Sequence, residues 1–263
     1  MWNVVERADQ PRRLSGQEIW DRVKYIPSVE EGVASSEPEG YGIGHHWNKC
    51  SIFWELPYWK DQLLRHNLDV MHIERNVFCN ILYTVMDTKG KTKDTVNARL
   101  DIEAICRRPA LHLVENGTGR ISKPRASYTF NKEQNLELLQ WVKDLKLPDG
   151  YASNLKRCVN MHEGKLFGMK SHDCHVFFQR LLPWAFKALP KHIWSILTEF
   201  SRFFREICAY ELNVERLRHL EASMPITLCK LEMVFPPSLF DSMEHLPVHL
   251  AYEAKVGGPQ QYR

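Results

Sequence analysis

Two carboxylates in the sequence have positions that could serve catalysis, Glu74 and Asp69. Both lie in the stretch RHNLDVMHIERN, Arg65–Asn76, which opens a long run of apolar residues with the spacing of an amphipathic helix. On a helical wheel Glu74 falls within the apolar arc, whereas Asp69 falls on the polar side. A carboxylate among apolar side chains is costly unless a cation, a metal ion or several hydrogen-bond donors meet it. Glu74 is therefore either paired with a structural arginine or a metal-binding carboxylate, and Asp69 is the second candidate.

The tetrapeptide HDCH, His172–His175, is another candidate for chemistry, because imidazole and thiol groups bind transition metals. Its two histidines could share one face of a helix, and Cys174 would add a soft ligand. A structural zinc site usually has four ligands, however, and the nearest further candidates stand across a turn at no standard spacing. We therefore assign no metal ligands here and predict a helix N-terminus that is capped by Ser171.

Basic residues are concentrated between Lys89 and Arg125. This window contains nine Lys and Arg residues against four Asp and Glu, whereas the rest of the chain holds 26 basic and 28 acidic residues. A surface of this kind can neutralise the phosphates of DNA, although a solvated basic loop would have the same composition. The candidate DNA-binding residues are Lys89, Lys91, Lys93, Arg99, Arg107 and Arg108.

The composition argues against several classes of protein. The 263 residues are 44% hydrophobic, enough for a sizeable core, and the net charge of +3 is too small to indicate nucleic acid by itself. Seven cysteines are scattered without a CxxC pair, and neither a secretory signal nor a run of about 18 apolar residues is present. We therefore expect a nuclear or cytoplasmic protein in a reducing compartment, with no membrane partner. A GxSxG hydrolase motif and a nucleotide-binding loop are also missing.

The element that would position Glu74 is a single amphipathic helix over Leu68–Met86, with Asn67 as its N-cap. Glu74 should be buried in this helix, and Asp69 and Asn76 should be more exposed. The residues expected on the buried face are Val70, Ile73, Val77 and Ile81.

The remaining elements are also helical for the most part, and the predicted fold class is mainly α, an irregular multi-helix assembly with few short strands. Capping boxes predict helices that start after Ser15 and after Asn131. Tyr25–His46 lacks periodicity and is predicted as a loop, and Pro57 makes Ser51–Trp59 an edge strand or an extended segment. Further helices are predicted over Ser171–Leu182, ended or kinked by Pro183, and from Pro190, from Asn213 (bent at Pro225) and from Pro236-Pro237 (interrupted at Pro247).

Long segments of the chain resemble one family of mobile-element proteins. Three segments resemble the C-terminal part of transposases from plant CACTA-type (En/Spm-like) DNA transposons: SIFWELPYWKDQLLRHNLDVMHIERN (Ser51–Asn76), GKTKDTVNARLD (Gly90–Asp101) and PDGYASNLKRCV (Pro148–Val159). Two more resemble a domain of unknown function that follows the transposase domain in those proteins: KLFGMKSHDCHVFFQRLLP (Lys165–Pro183) and Leu228–Arg263. The resemblance covers nearly the whole chain except the first ten or so residues and Gly32–Gly44, and motifs of this length are far more specific than a short pattern.

The resemblance implies a ribonuclease-H-like core in which three acidic residues bind two divalent metal ions, with Mg²⁺ implied for the intact parent family. Glu74 would correspond to the third acidic residue, and Asp69 is the runner-up. The family's two aspartates lie upstream of the matched region. We therefore expect the remnant end of such a core in residues 1–164, followed by a truncated trailing domain of unknown function in residues 165–263. Alone, the chain is expected to hold no cofactor and not to cleave DNA, and Glu74 is expected to pair with an arginine.

The resulting interpretation is a transposase-derived fragment of a plant DNA transposon that is not catalytic alone. One alternative is a domesticated DNA- or protein-binding module that uses the basic segment 89–125, and another is a metal nuclease with a rearranged site. The partners that the resemblance implies are DNA and other transposase subunits. Salt-dependent DNA retention would separate the first two interpretations, and magnesium-dependent strand cleavage would identify the third.

Overall fold

The computed structural model describes residues 7, 12–27, 38, 40–43, 45–115, 117, 119, 121–149, 151 and 154–260. Within them the chain is mainly helical and has two small two-stranded sheets, so the predicted fold class is confirmed. The chain divides into two compact units, Val5–Asn67 and Leu68–Arg263 together with Met1–Val4. No helix of the described residues combines the length and the apolar character that crossing a bilayer requires.

The unit Val5–Asn67 contains helix α1, Gly16–Val23, which begins as predicted with a capping box. The Ser15 hydroxyl accepts a hydrogen bond from the Glu18 backbone, and the Glu18 carboxylate accepts one from the Ser15 backbone. A Cβ atom on Gly16 would lie 1.8 Å from the Lys60 carbonyl oxygen. Glycine is therefore required at this position, since the first turn of α1 approaches the backbone near Lys60 so closely.

The segment Ser51–Trp59 does not form the predicted edge strand or extended segment. It folds instead into the 3₁₀ turn Ile52–Glu55 and leads into a second one, Trp59–Asp61. Ser51 starts the first turn by accepting a hydrogen bond from the Phe53 backbone. Much of the predicted loop at Tyr25–His46, namely residues 28–37, 39 and 44, lies outside the described residues.

Helix α2, Val70–Val85, is the central element of the larger unit. It is one continuous helix, and Val70, Ile73, Val77 and Ile81 are all buried, as predicted. Its N-cap is Asp69 rather than the expected Asn67, because the Asp69 carboxylate reaches the His72 backbone N–H at 3.0 Å. The prediction of the start was thus two residues too early.

The middle of the larger unit consists of short elements. Helix α3 spans Val96–Ile105, and α4 spans Lys132–Asp144 with the predicted capping box of Asn131 and Gln134. Between them, strand β1 (Val114–Glu115) pairs antiparallel with β2 (Ile121–Ser122). After α4, strand β3 (Val159–Asn160) pairs antiparallel with β4 (Lys165–Leu166).

The remaining helices follow in close succession. They are α5 (Ser171–Val176), a π-helical turn (Phe177–Leu181), α6 (Leu182–Ala185), α7 (Lys191–Ile207), α8 (Val214–Val234), α9 (Ser242–His245) and α10 (Pro247–Gly257). The helix α8 continues through Pro225, and it packs against both α7 and α10. The sixth predicted helix is wrong at its start, where Pro237–Leu239 forms a 3₁₀ turn, and Pro247 begins α10 instead of interrupting a helix. Proline is well placed there because the first turn of a helix needs no donor from it.

Phenylalanine rings join α2, the π-turn and α7 into one core. The ring of Phe78 lies 5.2 Å from that of Phe177 and 5.6 Å from that of Phe178, and Phe178 lies 5.2 Å from Phe204. All four side chains are fully buried. Residues before and after the expected family boundary at 164/165 therefore share one core, while the boundary itself stays a prediction.

Candidate functional site

Glu74 is fully buried on α2, as the helical wheel predicted. Its Oε2 atom lies 2.6 Å from Nδ1 of His175 and 3.3 Å from Nε2 of Gln179. Its Oε1 atom has no hydrogen-bond partner among the described residues. The prediction that Glu74 pairs with an arginine is therefore wrong, because the imidazole of His175 and the amide of Gln179 meet its carboxylate instead.

The hydrogen-bond donors around the Glu74 carboxylate determine where the hydrogen atoms of the cluster lie. The Gln179 amide nitrogen also lies 3.2 Å from the carbonyl oxygen of Phe204, so its two hydrogens serve Phe204 and Glu74. His175 then places its Nδ1 hydrogen toward the carboxylate. Burial raises the pKa of Glu74, and the hydrogen bond from His175 opposes that rise.

The π-turn Phe177–Leu181 explains how Gln179 reaches this position. Leu182 donates its backbone N–H to the Phe177 carbonyl, five residues back, and the next residue, Pro183, has no N–H to offer. The carbonyl of Phe178 is instead met by the Ser201 hydroxyl of α7 at 2.7 Å. The wider turn therefore turns Gln179 inward beside His175, which lies four residues earlier on α5.

Cys208 completes the group from a third direction. It follows the last residue of α7, and its backbone N–H donates to the same Phe204 carbonyl that Gln179 contacts. One ligand atom each of Glu74, His175 and Cys208 lies within 4.8 Å of the other two. No sequence signal points to this grouping, because the three residues come from distant segments and share no motif.

The group opens into a cleft of about 810 Å³. His175, Gln179 and Cys208 line this cleft, and Arg180 and Arg205 stand at its side. The cleft gives a small molecule or an ion a route to the partly buried face of the cluster. We refer to Glu74, His175 and Cys208 as the Glu-His-Cys centre.

The HDCH tetrapeptide does not act as one ligand set. His172 contacts the Tyr151 carbonyl at 2.7 Å, and only His175 points to Glu74. The Cys174 thiol meets that of Cys79 on α2, a hydrogen bond that lowers the pKa of Cys79 to about 7.

The predicted cap of this helix is displaced by one residue. Ser171 is the first helical residue and Lys170 is the N-cap, whose backbone N–H donates to the Asp173 carboxylate at 2.9 Å. Asp173 also forms an ion pair with Arg157 at 3.0 Å. Its carboxylate is thus used in holding the start of α5.

Asp69, the second catalytic candidate, does not approach the Glu-His-Cys centre. Its side chain is exposed and caps α2 through the His72 backbone N–H. A capping carboxylate satisfies an amide that the helix leaves without a partner, and it also interacts favourably with the helix dipole. The position therefore has a structural explanation.

One of the predicted DNA-binding residues, Arg99, has to be removed from that set. Arg99 is fully buried, and its guanidinium contacts both carboxylate oxygens of Asp94, at 2.5 and 2.6 Å. A further N–H donates to the Leu111 carbonyl at 2.8 Å. A guanidinium enclosed in this way holds the middle of the larger unit together and cannot reach a phosphate.

The other predicted DNA-binding residues divide into two groups. Lys93 forms an ion pair with Asp241 at 3.3 Å, and Arg108 donates to the backbone carbonyls of Phe235 and Glu232. Both are partly buried. The exposed members, for which DNA contact stays a prediction, are Lys89, Lys91 and Arg107.

A second basic surface, which sequence analysis missed, lies along α7 and the turn before it. It is a groove of about 660 Å³ with five exposed cations and two tryptophans, one of them, Trp184, 70% exposed. None of the five cations forms an ion pair with a carboxylate of the described residues. We call this surface the basic groove, and its cations are Arg180, Lys187, Lys191, Arg202 and Arg205.

The charges of α7 are segregated between two faces. Its glutamates face α8, where Glu199 pairs with Lys230 at 2.9 Å and Glu206 pairs with Arg216 at 2.5 Å. Lys191, Arg202 and Arg205 lie at helical spacings that place them together on another face. That spacing is the signal by which the groove could have been found in the sequence.

Comparison with known proteins adds one match. The family model described as a domain of unknown function (DUF4218) matches residues 207–263. The matched region includes Cys208 and the helices α8 to α10, and it overlaps the segment Leu228–Arg263 that was assigned to a trailing domain. Neither a curated protein nor a solved structure shows a significant match.

Proposed function

We propose that this chain is a transposase-derived nucleic-acid-binding protein of plant CACTA-type descent that does not cleave DNA alone. The descent rests on the five segments that resemble those transposases. The observation that carries the binding function is the basic groove, whose five exposed cations form no ion pair with a carboxylate in the described part of the chain. The partners are then DNA and other transposase subunits, and the protein works in the nucleus or the cytoplasm.

The groove suits a polyanion on electrostatic grounds. Like charges gathered on one face repel one another, and phosphates relieve that repulsion while releasing condensed counterions. The exposed ring of Trp184 offers a face on which an unpaired base can stack. Contacts of these two kinds carry little sequence information, so binding should tolerate many sequences and should weaken steeply with salt.

The test compares two triple charge reversals of equal size. One reverses Arg180, Arg202 and Arg205 in the groove to Glu, and the other reverses Lys89, Lys91 and Arg107 in the sequence-predicted window. Fluorescence anisotropy with labelled single- and double-stranded DNA should show at least about tenfold weaker binding for the groove variant at moderate salt. For the groove variant, the slope of the logarithm of the binding constant against the logarithm of the salt concentration should become shallower by about 2–3 units.

The window variant is the matched control, and it also tests the alternative of a DNA-binding module built on residues 89–125. We expect it to lose less than about threefold in affinity. If the window variant loses more affinity than the groove variant, the alternative is correct. If both variants bind as the unmutated chain does, the proposed function is wrong.

The expectation that the chain does not cleave DNA is supported by the donors around Glu74. Two-metal phosphoryl transfer needs several carboxylates that hold two ions about 4 Å apart. Glu74 instead meets the imidazole of His175 and the amide of Gln179, and the thiol of Cys208 lies nearby. Mg²⁺ prefers oxygen ligands and keeps several of its waters, so this set does not fit the magnesium pair of the parent family.

We expect no strand cleavage when the purified chain is incubated with duplex DNA and either Mg²⁺ or Mn²⁺. The readout is a denaturing gel of end-labelled DNA over several hours. Cleavage by the unmutated chain that Glu74→Gln abolishes would show instead that the chain assembles an active site. Cleavage that persists in Glu74→Gln would indicate a contaminating nuclease.

A further inference from the structure

We infer that the Glu-His-Cys centre is a binding site for one divalent transition-metal ion, with Zn²⁺ as the physiological choice. The inference goes beyond nucleic-acid binding and does not depend on it. Two separate observations carry it. The ligand atoms of Glu74, His175 and Cys208 converge within 4.8 Å, and the buried Oε1 atom of Glu74 has no hydrogen-bond partner among the described residues.

The orphaned oxygen is the stronger of the two observations. Buried carboxylate oxygens are nearly always met by a donor or a cation, because an oxygen left without either loses its hydration and gains nothing in return. Here His175 and Gln179 both approach Oε2, so the carboxylate is only half satisfied. An ion at the centre would supply the missing partner.

The donor set selects the type of ion. One carboxylate, one imidazole and one thiolate match the ligands of zinc and of neighbouring borderline metals such as cobalt. Calcium and magnesium take oxygen ligands, so they should not compete at this centre. Three protein ligands leave a fourth position of the tetrahedron open, and this position would face the cleft of about 810 Å³, where water can fill it.

Binding requires a small local rearrangement. His175 Nδ1 donates its hydrogen to Glu74 Oε2 at 2.6 Å, so an ion bound between Nδ1 and the orphaned Oε1 has to replace this hydrogen bond. The ion would take the place of the Nδ1 hydrogen, His175 would bind as the neutral imidazole with its hydrogen on Nε2, and the thiol proton of Cys208 would be released to solvent. The hydrogen bonds of Phe204 to Gln179 and to the Cys208 backbone keep the surroundings in place.

The main experiment is a cobalt titration of the full chain after metals have been removed with a chelator. Co²⁺ reports a thiolate ligand through a charge-transfer absorption in the near ultraviolet, and elemental analysis after dialysis against Zn²⁺ gives the stoichiometry. We expect one ion per chain. Cys208→Ser should abolish the charge-transfer absorption and weaken Co²⁺ binding at least tenfold, and His175→Ala should also weaken it.

Two neighbouring side chains provide matched controls. Cys229 is exposed on α8, and His172 lines the same cleft but contacts the Tyr151 carbonyl. Cys229→Ser and His172→Ala should bind the ion within about threefold of the unmutated chain. Far-UV circular dichroism of every variant without metal identifies any that fails to fold.

A second measurement needs no substitution. Zn²⁺ should protect Cys208 from alkylation by iodoacetamide, with the modified peptides read by mass spectrometry, while Cys229 stays reactive. Substoichiometric zinc, cobalt binding that survives Cys208→Ser, or alkylation of Cys208 at the same rate with and without zinc would each overturn the inference. The double variant Lys187→Glu, Lys191→Glu changes two cations of the basic groove that do not line this cleft, and it should still bind the ion, so failure of the DNA-binding proposal can be told apart from failure of this one.

Discussion

At the scale of single residues, the burial of Glu74 could be predicted from the sequence, whereas its hydrogen-bond partners could not. The helical wheel places Glu74 inside, and the structure agrees, but the wheel holds no information about which distant side chain meets it. For Arg99, in contrast, the sequence did not predict burial. Its sequence context is basic, yet it lies in the interior against Asp94, because a bidentate ion pair with added backbone contacts makes burial of a guanidinium tolerable.

Glu244 provides a pH-dependence prediction. Burial raises the pKa of Glu244 from its ordinary value of 4.5 to about 7. Between pH 4.5 and pH 7 the folded chain therefore binds more protons than the unfolded chain does. The stabilising contribution of Glu244 to the free energy of unfolding is full below pH 4.5 and is lost as pH rises through 7. The difference in free energy of unfolding between the unmutated chain and Glu244→Gln should therefore fall by roughly 2–3 kcal/mol between pH 4.5 and pH 7.5.

Urea denaturation at a series of pH values measures this difference. Asn80 donates to the Glu244 carboxylate at 2.8 Å and Asp241 contacts it as well, so the amide variant shifts the absolute stability, and only the pH slope is diagnostic. Glu215→Gln, on an exposed position of α8, is the control and should give a difference that stays nearly constant. A constant difference for Glu244→Gln would contradict the prediction.

At the scale of elements, the π-turn between α5 and α6 is the feature that most shapes the centre. Pro183 made a break near Leu182 predictable, because proline removes a backbone donor. The form of the break was not predictable, since it depends on a hydroxyl from another helix. Ser201 of α7 supplies that hydroxyl to the Phe178 carbonyl, and the turn then directs Gln179 inward.

Ser201→Ala should therefore destabilise the chain by about 1–3 kcal/mol, because it leaves a buried carbonyl without this donor. Ser195→Ala on the same helix is the matched control. Its hydroxyl is exposed and contacts only its own helix at His192, so the change should stay within about 0.5 kcal/mol. Thermal and urea unfolding compare the two, and equal effects would mean that the carbonyl of Phe178 finds another donor.

At the scale of the whole molecule, the sequence predicts local periodicity well and long-range grouping poorly. Helices α2, α4 and α7 have strong apolar spacing, and each lies where a helix was predicted, although α2 begins two residues later than expected. The Glu-His-Cys centre draws on three distant segments, and only the packed core brings them together. The expected boundary near Lys165 rests on family resemblance alone, and the phenylalanine core crosses it.

The core leads to a prediction about truncation. Residues 165–263 alone would lose α2 and so expose Phe177 and Phe178, whose rings pack against Phe78. We expect that piece to unfold without a cooperative transition, whereas residues 68–263 should unfold cooperatively. Circular dichroism during urea titration distinguishes them. A cooperative transition for 165–263 would show that the boundary at 165 separates independent folding units.

The carbonyl of Phe204 connects the Glu-His-Cys centre to a turn of α7 that also carries a cation of the basic groove. It accepts hydrogen bonds from Gln179, which holds Glu74, and from the backbone of Cys208. Arg205 is the next residue along the same helix and lines the basic groove. A polyanion that shifted this turn would therefore change the spacing of the Glu-His-Cys centre. By linkage, an ion in the centre would then change the affinity for the polyanion by the same factor.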